Sequence, residues 1–180
     1  MTMRRIVVVG NTGSGKTTLA GELAQRLALR HVELDALYWR PDWVAAPLEE
    51  FRTAVQKALK VDGWVVDGNY SKVRQVVWPQ ADTVVWLDYS LSRIMWQLWW
   101  RTWRRWAKRE LLWGTNRERL WHQFLSRDSL FLWALQTYRR RRREYPRLLC
   151  QPQYHHLTLV RLRSPLQTRR WVERVAPLSR

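Results

Sequence analysis

Cysteine is almost missing from this chain of 180 residues, since Cys150 is the one cysteine in it. An internal disulfide is therefore impossible, and such cysteine usage is typical of a reducing compartment. Long apolar runs are missing as well. Residues 6–9 are the only apolar stretch before Gly10, and no run in the chain approaches the roughly 20 residues that a membrane-spanning helix needs. The sequence predicts a cytoplasmic protein with neither a signal peptide nor a transmembrane segment.

Acidic side chains are scarce too, with 15 Asp and Glu against 32 Lys and Arg and a net charge of +17. The imbalance lies almost wholly in residues 91–180, which carry +16, whereas residues 1–90 carry +1. Only five of the basic residues are lysine, and the other 27 are arginine, whose planar guanidinium suits phosphate groups. The second half is therefore expected to meet an anionic partner: nucleotide phosphates, nucleic acid or an acidic membrane surface.

Glycine is sparse, yet three of the seven glycines fall in residues 10–17, which fit the phosphate-loop pattern G-x-x-x-x-G-K-[ST]. An apolar β-branched run precedes this segment and a helical pattern follows it, which is the context that the motif needs. Lys16 is expected to reach the β- and γ-phosphates of a nucleotide, and Thr17 to offer a hydroxyl to Mg²⁺. The predicted nucleotide-binding residues are Gly10, Asn11, Thr12, Gly13, Ser14, Gly15, Lys16, Thr17 and Thr18.

Short apolar segments alternate with helical patterns along the rest of the chain. Candidate strands cover residues 5–9, 31–34, 64–66, 83–87 and 157–160; candidate helices cover 47–60, most of 91–148 with a break near 114–116, and a last segment opened by Ser164 and Pro165. Residues 36–43 are expected to form a loop. The alternation predicts one α/β domain over residues 1–180, a parallel sheet with helices on both faces. Its ligand is expected beyond the carboxyl ends of the strands.

Four segments at their spacing carry a family resemblance: residues 10–17, 34–39 (Leu-Asp-Ala-Leu-Tyr-Trp), 64–70 (Trp-Val-Val-Asp-Gly-Asn-Tyr) and 85–88 (Val-Trp-Leu-Asp). Over nearly its whole length the chain resembles the FlaR-like DNA topology modulation proteins, a family of adenylate-kinase-like P-loop kinases. The resemblance implies a three-layer P-loop NTPase fold with strand order 2-3-1-4-5, a helical lid, and a phosphotransferase that uses ATP and Mg²⁺. The 14 tryptophans and the arginine run at residues 139–143 depart from the family pattern.

Three carboxylates follow predicted strands. Asp67 ends the strand that lies beside the phosphate loop in this fold, so it is expected to hold Mg²⁺ together with Thr17; the alternative is a turn cap. Asp35 follows the second strand, where related small-molecule kinases keep a carboxylate that orients the acceptor hydroxyl, so it is a predicted catalytic residue; the alternative is a helix cap. Asp88 precedes a helix start and is expected to cap it.

The helix predicted from residue 92 has a basic side and a tryptophan side. In adenylate-kinase-like enzymes a helix at this point brings arginines to the transferring phosphate, so Arg101, Arg104 and Arg105 are predicted catalytic residues beside Lys16. The alternative is a solvated basic face. The tryptophan side, which includes residues 96, 99, 100, 103 and 106, is expected to lie in the core; the alternative is a membrane-interface or partner surface.

Residues 36–60 are expected to form a substrate subdomain. Its Trp39 and Trp43, with Tyr70, would either stack on a substrate or pack within that subdomain. Residues 109–128 are expected to form the lid, and Arg117, Arg119 and Arg127 are its candidate nucleotide contacts.

The arginine run at residues 139–143 spans more than one helical turn, so its side chains cannot all enter one site. Some are expected to face solvent, nucleic acid or acidic lipid.

The sequence favours a kinase-fold enzyme that transfers the γ-phosphate of ATP to a nucleoside monophosphate or another small acceptor. Two other classes stay open. One is a nucleic-acid-associated NTPase that modulates DNA topology through its basic C-terminal half. The other is a nucleotide-binding regulatory module without turnover. Phosphate appearing on a small acceptor would indicate the kinase, and stimulation of ATP turnover by DNA or RNA would indicate the NTPase.

Overall fold

A computed structural model describes residues 3–108, 111–112, 116–117 and 130–175, with side chains for residues 3–104 and 132–175. The strands are β1 (Arg5–Gly10), β2 (Arg30–Glu33), β3 (Trp64–Asp67), β4 (Thr83–Leu87), β5 (Leu111–Leu112), β6 (Asn116–Arg117) and β7 (Thr158–Leu162). The helices are α1 (Lys16–Leu27), α2 (Leu34–Tyr38), α3 (Leu48–Ala58), α4 (Ser71–Val77), α5 (Leu91–Lys108), α6 (Leu130–Leu149) and α7 (Pro165–Arg174). Short 3₁₀ turns cover Pro41–Trp43, Trp78–Gln80 and Pro152–Tyr154.

Five of the strands form one sheet in the order β2-β3-β1-β4-β7, and every neighbouring pair in it is parallel. Counted over these five strands, this is the predicted order 2-3-1-4-5. Strand β1 lies at the centre, with Val7 opposite Val66 of β3 on one side and Val84 of β4 on the other. Because parallel strands end at the same edge, the residues that follow β1, β3 and β4 come together there.

Two apolar cores, one on each face of the sheet, confirm the predicted three-layer arrangement. Ile6 and Val8 of β1 lie in the core formed with α1, α5 and α7, whereas Val7 and Val9 lie in the core formed with α3 and α4. Successive strand residues point to opposite faces, and a sheet covered on both faces needs apolar residues at all of them. The continuous Ile-Val-Val-Val run of β1 follows from this.

Helix α6 connects the two cores past the carboxyl edge of the sheet. Ala134, near its beginning, packs in the core with α1 and α5, whereas Tyr145, near its end, packs in the core with α3 and α4. Between them, Arg141 donates a hydrogen bond to the carbonyl of Gly10 at the end of β1. Helix α6 therefore lies against the phosphate loop.

Several element boundaries differ from the sequence prediction, most of them by one or two residues. Residues 34–38 form helix α2 instead of a strand end and a loop, because this stretch of Leu and Ala forms helix readily and Leu34 becomes buried. Pro47 is the N-cap of α3 and not its first helical residue, since its ψ of 145° is extended. The fifth strand of the sheet covers Thr158–Leu162, later than the predicted 157–160.

Within the predicted helical region 91–148, the described residues include two helices, α5 and α6. Within the predicted lid, residues 109–128, the described residues form an antiparallel pair in which Leu111 lies opposite Arg117 and Leu112 opposite Asn116. Arg119, Arg127 and the side chain of Arg117 lie outside the described residues. Among the described helices, none combines the length and the apolar character required to cross a bilayer.

Candidate nucleotide-binding site

The loop between β1 and α1 has the backbone conformation that an anion site requires. Its buried Ser14 donates its N–H to the carbonyl of Asn11 at 3.2 Å. Gly13 and Gly15 have φ values of 75° and 89°, in the left-handed region that favours glycine. A Cβ at Gly13 would lie 3.1 Å from Leu98 Cβ of α5, whereas at Gly15 no described residue lies within 4 Å. As far as the described residues show, the space beside Gly15 at the N-terminus of α1 is open, and a phosphate there would meet backbone N–H groups.

Lys16 folds back over this loop, and its Nζ donates to the carbonyl of Asn11 at 3.0 Å. Burial, together with the positive charges of Arg141 and Arg101, lowers the pKa of the Lys16 ammonium to about 8, although two nearby carboxylates oppose the shift. Three cations thus lie near one another, and burial adds to the cost of their charge. Such a site is stabilised when a polyanion enters it.

Thr17 and Asp67 are joined directly, since the Thr17 hydroxyl donates to Asp67 Oδ2 at 2.6 Å. Hydroxyl and carboxylate oxygens are ligands that Mg²⁺ prefers, and at phosphate sites it usually takes one or two protein groups beside phosphates and water. The described residues contain no group of three or more His, Cys, Asp or Glu side chains around one point. The donor set of Thr17 and Asp67 fits magnesium that is shared with phosphates.

His31 of β2 is a site residue that the sequence did not indicate. Its Nε2 lies 3.0 Å from Asp67 Oδ1, and this hydrogen bond raises the pKa of the His31 imidazole despite partial burial. Strand pairing places Glu33 opposite Asp67, so His31, two residues earlier, projects from the same face of the sheet. Only the strand order supplies this proximity. The second carboxylate oxygen of Asp67 thereby has a fixed partner.

Asn69 holds the first residue of the phosphate loop. Its Nδ2 donates to the carbonyl of Gly10 at 2.6 Å, and its Oδ1 accepts from the Gly10 N–H at 3.3 Å. The hydroxyl of Tyr145, from α6, donates to the same Oδ1 at 2.8 Å. The two bonds to Gly10 connect the loop to the end of β3, so Asn69 fixes where the loop begins.

Asp35 lies in the first turn of α2, with Glu33 at the N-cap, so Asp35 does not cap this helix. Its Oδ1 accepts a hydrogen bond from the hydroxyl of Tyr70 at 2.5 Å. Burial and the neighbouring carboxylate raise the pKa of Tyr70 far above its ordinary value, so Tyr70 stays a donor. The charge of Asp35 also acts on Lys16, which places the carboxylate within the site.

Helix α6 reaches the phosphate loop through three consecutive turns. Asn11 Nδ2 donates to the carbonyl of Ala134 at 2.8 Å, and the Thr137 hydroxyl donates to Asn11 Oδ1 at 2.9 Å. Arg141 Nη1 lies 3.2 Å from both Gly10 O and Asn11 Oδ1. The sequence showed Arg141 only as one member of an arginine run. The spacing of 134, 137 and 141, typical of one helix face, is the signal that could have singled it out.

The three arginines predicted on α5 are placed differently. Arg101 is half-buried, and its charge contributes to the lowered pKa of Lys16, so it lies near the phosphate loop. Arg104 is exposed. The side chain of Arg105 lies outside the described residues. Among these candidates, the structure brings Arg101 towards the loop.

The expectation that the tryptophan side of α5 lies in the core is wrong. Its described members are exposed, and we call them the tryptophan face: Trp96, Trp99, Trp100 and Trp103. The buried side of α5 carries Ile94 and Leu98 instead. The physical reason is the close approach of Gly13 to Leu98, which leaves no room for an indole between helix and loop. The side chain of Trp106 lies outside the described residues.

Asp88 does not cap α5 as expected. Its carboxylate is buried between two guanidinium groups, with Arg142 Nε at 2.8 Å and Arg161 Nη2 at 2.6 Å. The N–H of Arg93, in the first turn of α5, faces the hydroxyl of Ser90 instead, at a long 3.4 Å. Asp88 therefore ties α6 and β7 to the end of β4.

The aromatic side chains of the expected substrate subdomain, with Tyr70, form one cluster. The Tyr38 ring centroid lies 4.7 Å from that of Tyr70 and 5.1 Å from that of Phe51. The Trp39 and Trp43 centroids lie 5.8 Å apart. These rings contact one another, while Trp43 remains exposed at the surface.

Comparisons with known proteins fit this arrangement. No protein-family profile matches the chain, and no curated protein matches it by sequence. Solved structures do match. A shikimate kinase from Acinetobacter baumannii in complex with shikimate is 18% identical with a TM-score of 0.55, covering 97% of this chain and 91% of that one. This chain has the P-loop kinase fold.

Two further solved structures have the same architecture. A sugar kinase from a Janibacter species is 19% identical, with a TM-score of 0.53 and coverage of 96% of this chain and 92% of that one. A deoxyadenosine kinase from M. mycoides is 13% identical, with a TM-score of 0.51 and coverage of 93% and 94%. At these identities the likeness shows the fold.

Proposed function

We propose that this chain is an ATP- and Mg²⁺-dependent phosphotransferase that moves the γ-phosphate of ATP to a small acceptor hydroxyl. The observation that carries the proposal is the convergence of Lys16, Arg141 and Arg101 at one loop, where burial and the two neighbouring guanidinium groups lower the pKa of Lys16. Crowded cations destabilise an empty site, whereas a triphosphate among them relieves the repulsion. The P-loop kinase fold supports the same class of reaction.

Nucleotide binding would fall to residues 10–18 and their neighbours. Backbone N–H groups of the loop would surround the β- and γ-phosphates, with Lys16 beside them. Thr17 and Asp67 would hold Mg²⁺, which neutralises phosphate charge when it is bound. His31 would keep Asp67 oriented towards Thr17.

Transfer itself would rest on Asp35 and the arginines. The acceptor hydroxyl would donate a hydrogen bond to Asp35, which orients its oxygen towards the γ-phosphorus. As that oxygen bonds to phosphorus, its proton passes to Asp35, the bond to the β–γ bridging oxygen breaks and ADP leaves with the electron pair. Arg101 and Arg141 would stabilise the charge that spreads over the transferring group. Arg104 and Arg105 stay predictions for the same task.

The acceptor would lie between Asp35 and residues 36–60. The two arginines of that segment already have acidic partners, Arg40 with Glu50 and Arg52 with Glu49. This pairing favours an acceptor without a phosphate of its own over a nucleoside monophosphate. Sugars, shikimate and deoxyadenosine, which the names of the structural neighbours mention, all bear hydroxyl groups. Membership of the FlaR-like family is part of this proposal.

A phosphoryl-transfer screen tests the proposal. Purified protein, ATP and Mg²⁺ should phosphorylate at least one compound in a panel of sugars, polyols, nucleosides and nucleoside monophosphates. Lys16→Ala should reduce turnover at least ~100-fold, because it removes the charge expected to touch the β- and γ-phosphates. Arg169→Ala, at an exposed basic residue of α7, is the matched control. A folded Lys16→Ala protein with parental ATP affinity and turnover would refute the kinase proposal.

Variants of Asp67 and Asp35 should differ in how strongly their turnover depends on the Mg²⁺ concentration. Asp67→Asn should raise the Mg²⁺ concentration needed for half-maximal turnover while the KM for the acceptor changes little. Asp35→Asn should weaken acceptor use more than metal use, since its partner in the structure is Tyr70 and not Thr17. Initial rates over a grid of Mg²⁺ and acceptor concentrations measure both. Identical profiles for the two variants would contradict these roles.

A further inference from the structure

The tryptophan face defined above is an apolar surface on the outside of the molecule. Trp96 is 55% exposed, Trp99 43%, and Trp100 and Trp103 48% each. At 100° per residue these four positions span a sector of about 100° on the side of α5 opposite Ile94 and Leu98. Large exposed apolar sectors of this kind mark interaction surfaces.

Neighbouring indoles of the face lie against one another. The rings of Trp96 and Trp99 are stacked with centroids 5.7 Å apart and an interplanar angle of 26°. Those of Trp100 and Trp103 are stacked at 5.3 Å and 29°. The indoles therefore form a continuous layer along the helix, and each stacked pair presents less free ring surface than two separate rings.

Positive charge lies along one side of this layer. Helix α5 contains no Asp or Glu, and the exposed Arg93 and Arg104 project beside the tryptophan sector. The neighbouring helix α6 is similar, since its one acidic residue, Glu144, is paired with Arg74 at 2.7 Å. Exposed side chains of α6 are apolar near its beginning and basic further on: Leu132, Trp133, Leu135, Arg139, Arg140 and Arg143.

We propose that the tryptophan face docks this protein on the interface of an anionic lipid bilayer, with α5 lying in the plane of the membrane. Indole rings favour the level of the lipid headgroups, where their apolar body and polar N–H are both satisfied. Arginines at the edge of the sector match acidic headgroups in charge, and each adds to the attraction. The proposal is independent of whether the chain transfers phosphate.

Two other occupants fit the observations less well. A nucleic acid would stack its bases on free aromatic faces, but in the tryptophan face the indoles are stacked on each other. In a symmetric dimer through this face, the arginines beside the tryptophan face of one copy would approach those of the other. The repulsion between these like charges opposes association. A bilayer with acidic headgroups satisfies both the apolar layer and the charge.

Docking would take place directly behind the phosphate loop. The side of α5 opposite the tryptophan face contacts that loop, where the position of a Cβ at Gly13 lies 3.1 Å from Leu98 Cβ and 3.3 Å from the carbonyl of Ile94. A membrane-bound α5 would therefore hold the nucleotide site next to the bilayer surface.

Vesicle sedimentation tests the proposal with the full chain. Vesicles of phosphatidylcholine and phosphatidylglycerol in equal parts should bind the protein, and phosphatidylcholine alone should bind it much more weakly. The double variant Trp96→Gln/Trp103→Gln should lower the partition coefficient on the mixed vesicles ~10-fold or more, because it removes two interfacial anchors. Arg93→Gln should lower it roughly fivefold, on anionic vesicles only.

Trp43→Gln is the matched control, since Trp43 is 39% exposed but belongs to the turn Pro41–Trp43 and not to α5. It should bind mixed vesicles like the parent. Brominated acyl chains should also quench the tryptophan fluorescence of the parent, a measurement that needs no variant. Equal vesicle binding by the parent and the double variant would overturn the proposal. An absence of vesicle binding by the parent would also overturn the proposal. Loss of a dimer or of DNA binding in the double variant would not alter that outcome.

Discussion

Three residues at the end of β3 each secure a different part of the site. Asp67 engages Thr17, the expected second ligand of magnesium. Asn69 bonds both backbone groups of Gly10 at the start of the phosphate loop. Tyr70 donates to the carboxylate of Asp35 on the acceptor side. A single short segment thus sets the relative positions of the groups that we propose to bind metal, phosphate and acceptor.

Replacing Asn69 should loosen the phosphate loop. Asn69→Ala removes both hydrogen bonds to Gly10 and leaves the Tyr145 hydroxyl without this acceptor. We expect unfolding to become easier by about 1–3 kcal/mol and ATP affinity to fall roughly tenfold. Chemical denaturation and calorimetric ATP titration measure the two effects. Gln153→Ala, at an exposed amide, should change neither, and parental behaviour of Asn69→Ala would show that the contact is dispensable.

Lys16 should give ATP binding a pH dependence in the alkaline range. Its pKa of about 8 in the ligand-free site means that the ammonium loses its proton above that pH. A bound triphosphate favours the charged lysine, so binding at higher pH must take up a proton, and ATP affinity should fall by up to ~10-fold per pH unit above about pH 8. Calorimetry in buffers of different ionisation enthalpy measures the uptake. Lys16→Met should abolish it, and pH-independent affinity in the parent would exclude this role for the lysine.

At the scale of elements, α6 explains how one arginine run serves several purposes. Successive residues rotate by 100°, so adjacent arginines point in different directions. Arg141 faces the phosphate loop and Arg142 reaches Asp88, whereas Arg139, Arg140 and Arg143 are exposed. The sequence showed that the side chains of this arginine run cannot all enter one site. The position of α6 against the loop decides which arginine enters the site.

Adjacent members of this run make a matched pair for mutation. Arg141→Gln should reduce kcat/KM for ATP turnover ~100-fold, because it removes a charge aimed at the transferring phosphate. Arg140→Gln should stay within about twofold of the parent, since that side chain is exposed and a change of solvated charge is weakly felt. Steady-state kinetics at fixed ionic strength measure both. Equal losses in the two variants would mean that general positive charge matters and not the placement of Arg141.

Elements with strong local signals were predicted well. Strand β4 was predicted at its observed bounds, and Ser164 caps α7 through a 3.2 Å bond from the Gln167 N–H. The sequence predicted both the basic side and the tryptophan side of helix α5, but the prediction of which side faces the core was wrong. A periodic pattern separates two faces of a helix, and large aromatic rings favour the interior on average, yet the close contact at Gly13 admits only the smaller side.

At the scale of the molecule, the +16 charge of the second half is divided among separate tasks. Arg141 and Arg101 lie near the phosphate loop, and Arg142 and Arg161 neutralise the buried Asp88. Among the side chains that the structure describes, the other arginines of α5, α6 and α7 are exposed. Within the described part of the chain, these exposed arginines are the ones through which a nucleic-acid-associated NTPase, the alternative function, would act.

Substitution of the exposed arginines should therefore weaken nucleic-acid binding without reducing turnover. Replacing Arg139, Arg140 and Arg143 together with Gln should weaken DNA binding and flatten its salt dependence by about 0.9 for each DNA phosphate that the variant no longer neutralises. Turnover with a small acceptor should survive. Fluorescence anisotropy of a labelled duplex at several salt concentrations, beside the kinase assay, measures both. DNA stimulation of ATP turnover near physiological salt, without phosphate on any acceptor, would favour the NTPase over the kinase.

The sequence by itself determined the phosphate loop, the five parallel strands and, through the family resemblance, their order. These features depend on residues close together along the chain. The phosphate loop is a glycine pattern between an apolar run and a helix, and each strand is a short run of apolar residues. Local periodicity and turn chemistry act within a few residues, so they can be recognised without knowledge of the rest of the fold.

Only the tertiary structure decided what surrounds the loop. Asn69 is 59 residues from Gly10, His31 is 36 from Asp67, and Arg141 is 130 from Asn11. Each of these contacts depends on strand order, register and the path of α6 across the sheet edge, which no local pattern encodes. The exposure of the tryptophan face has the same origin. Which side of an amphipathic helix is buried is set by the shape of the surface that it meets.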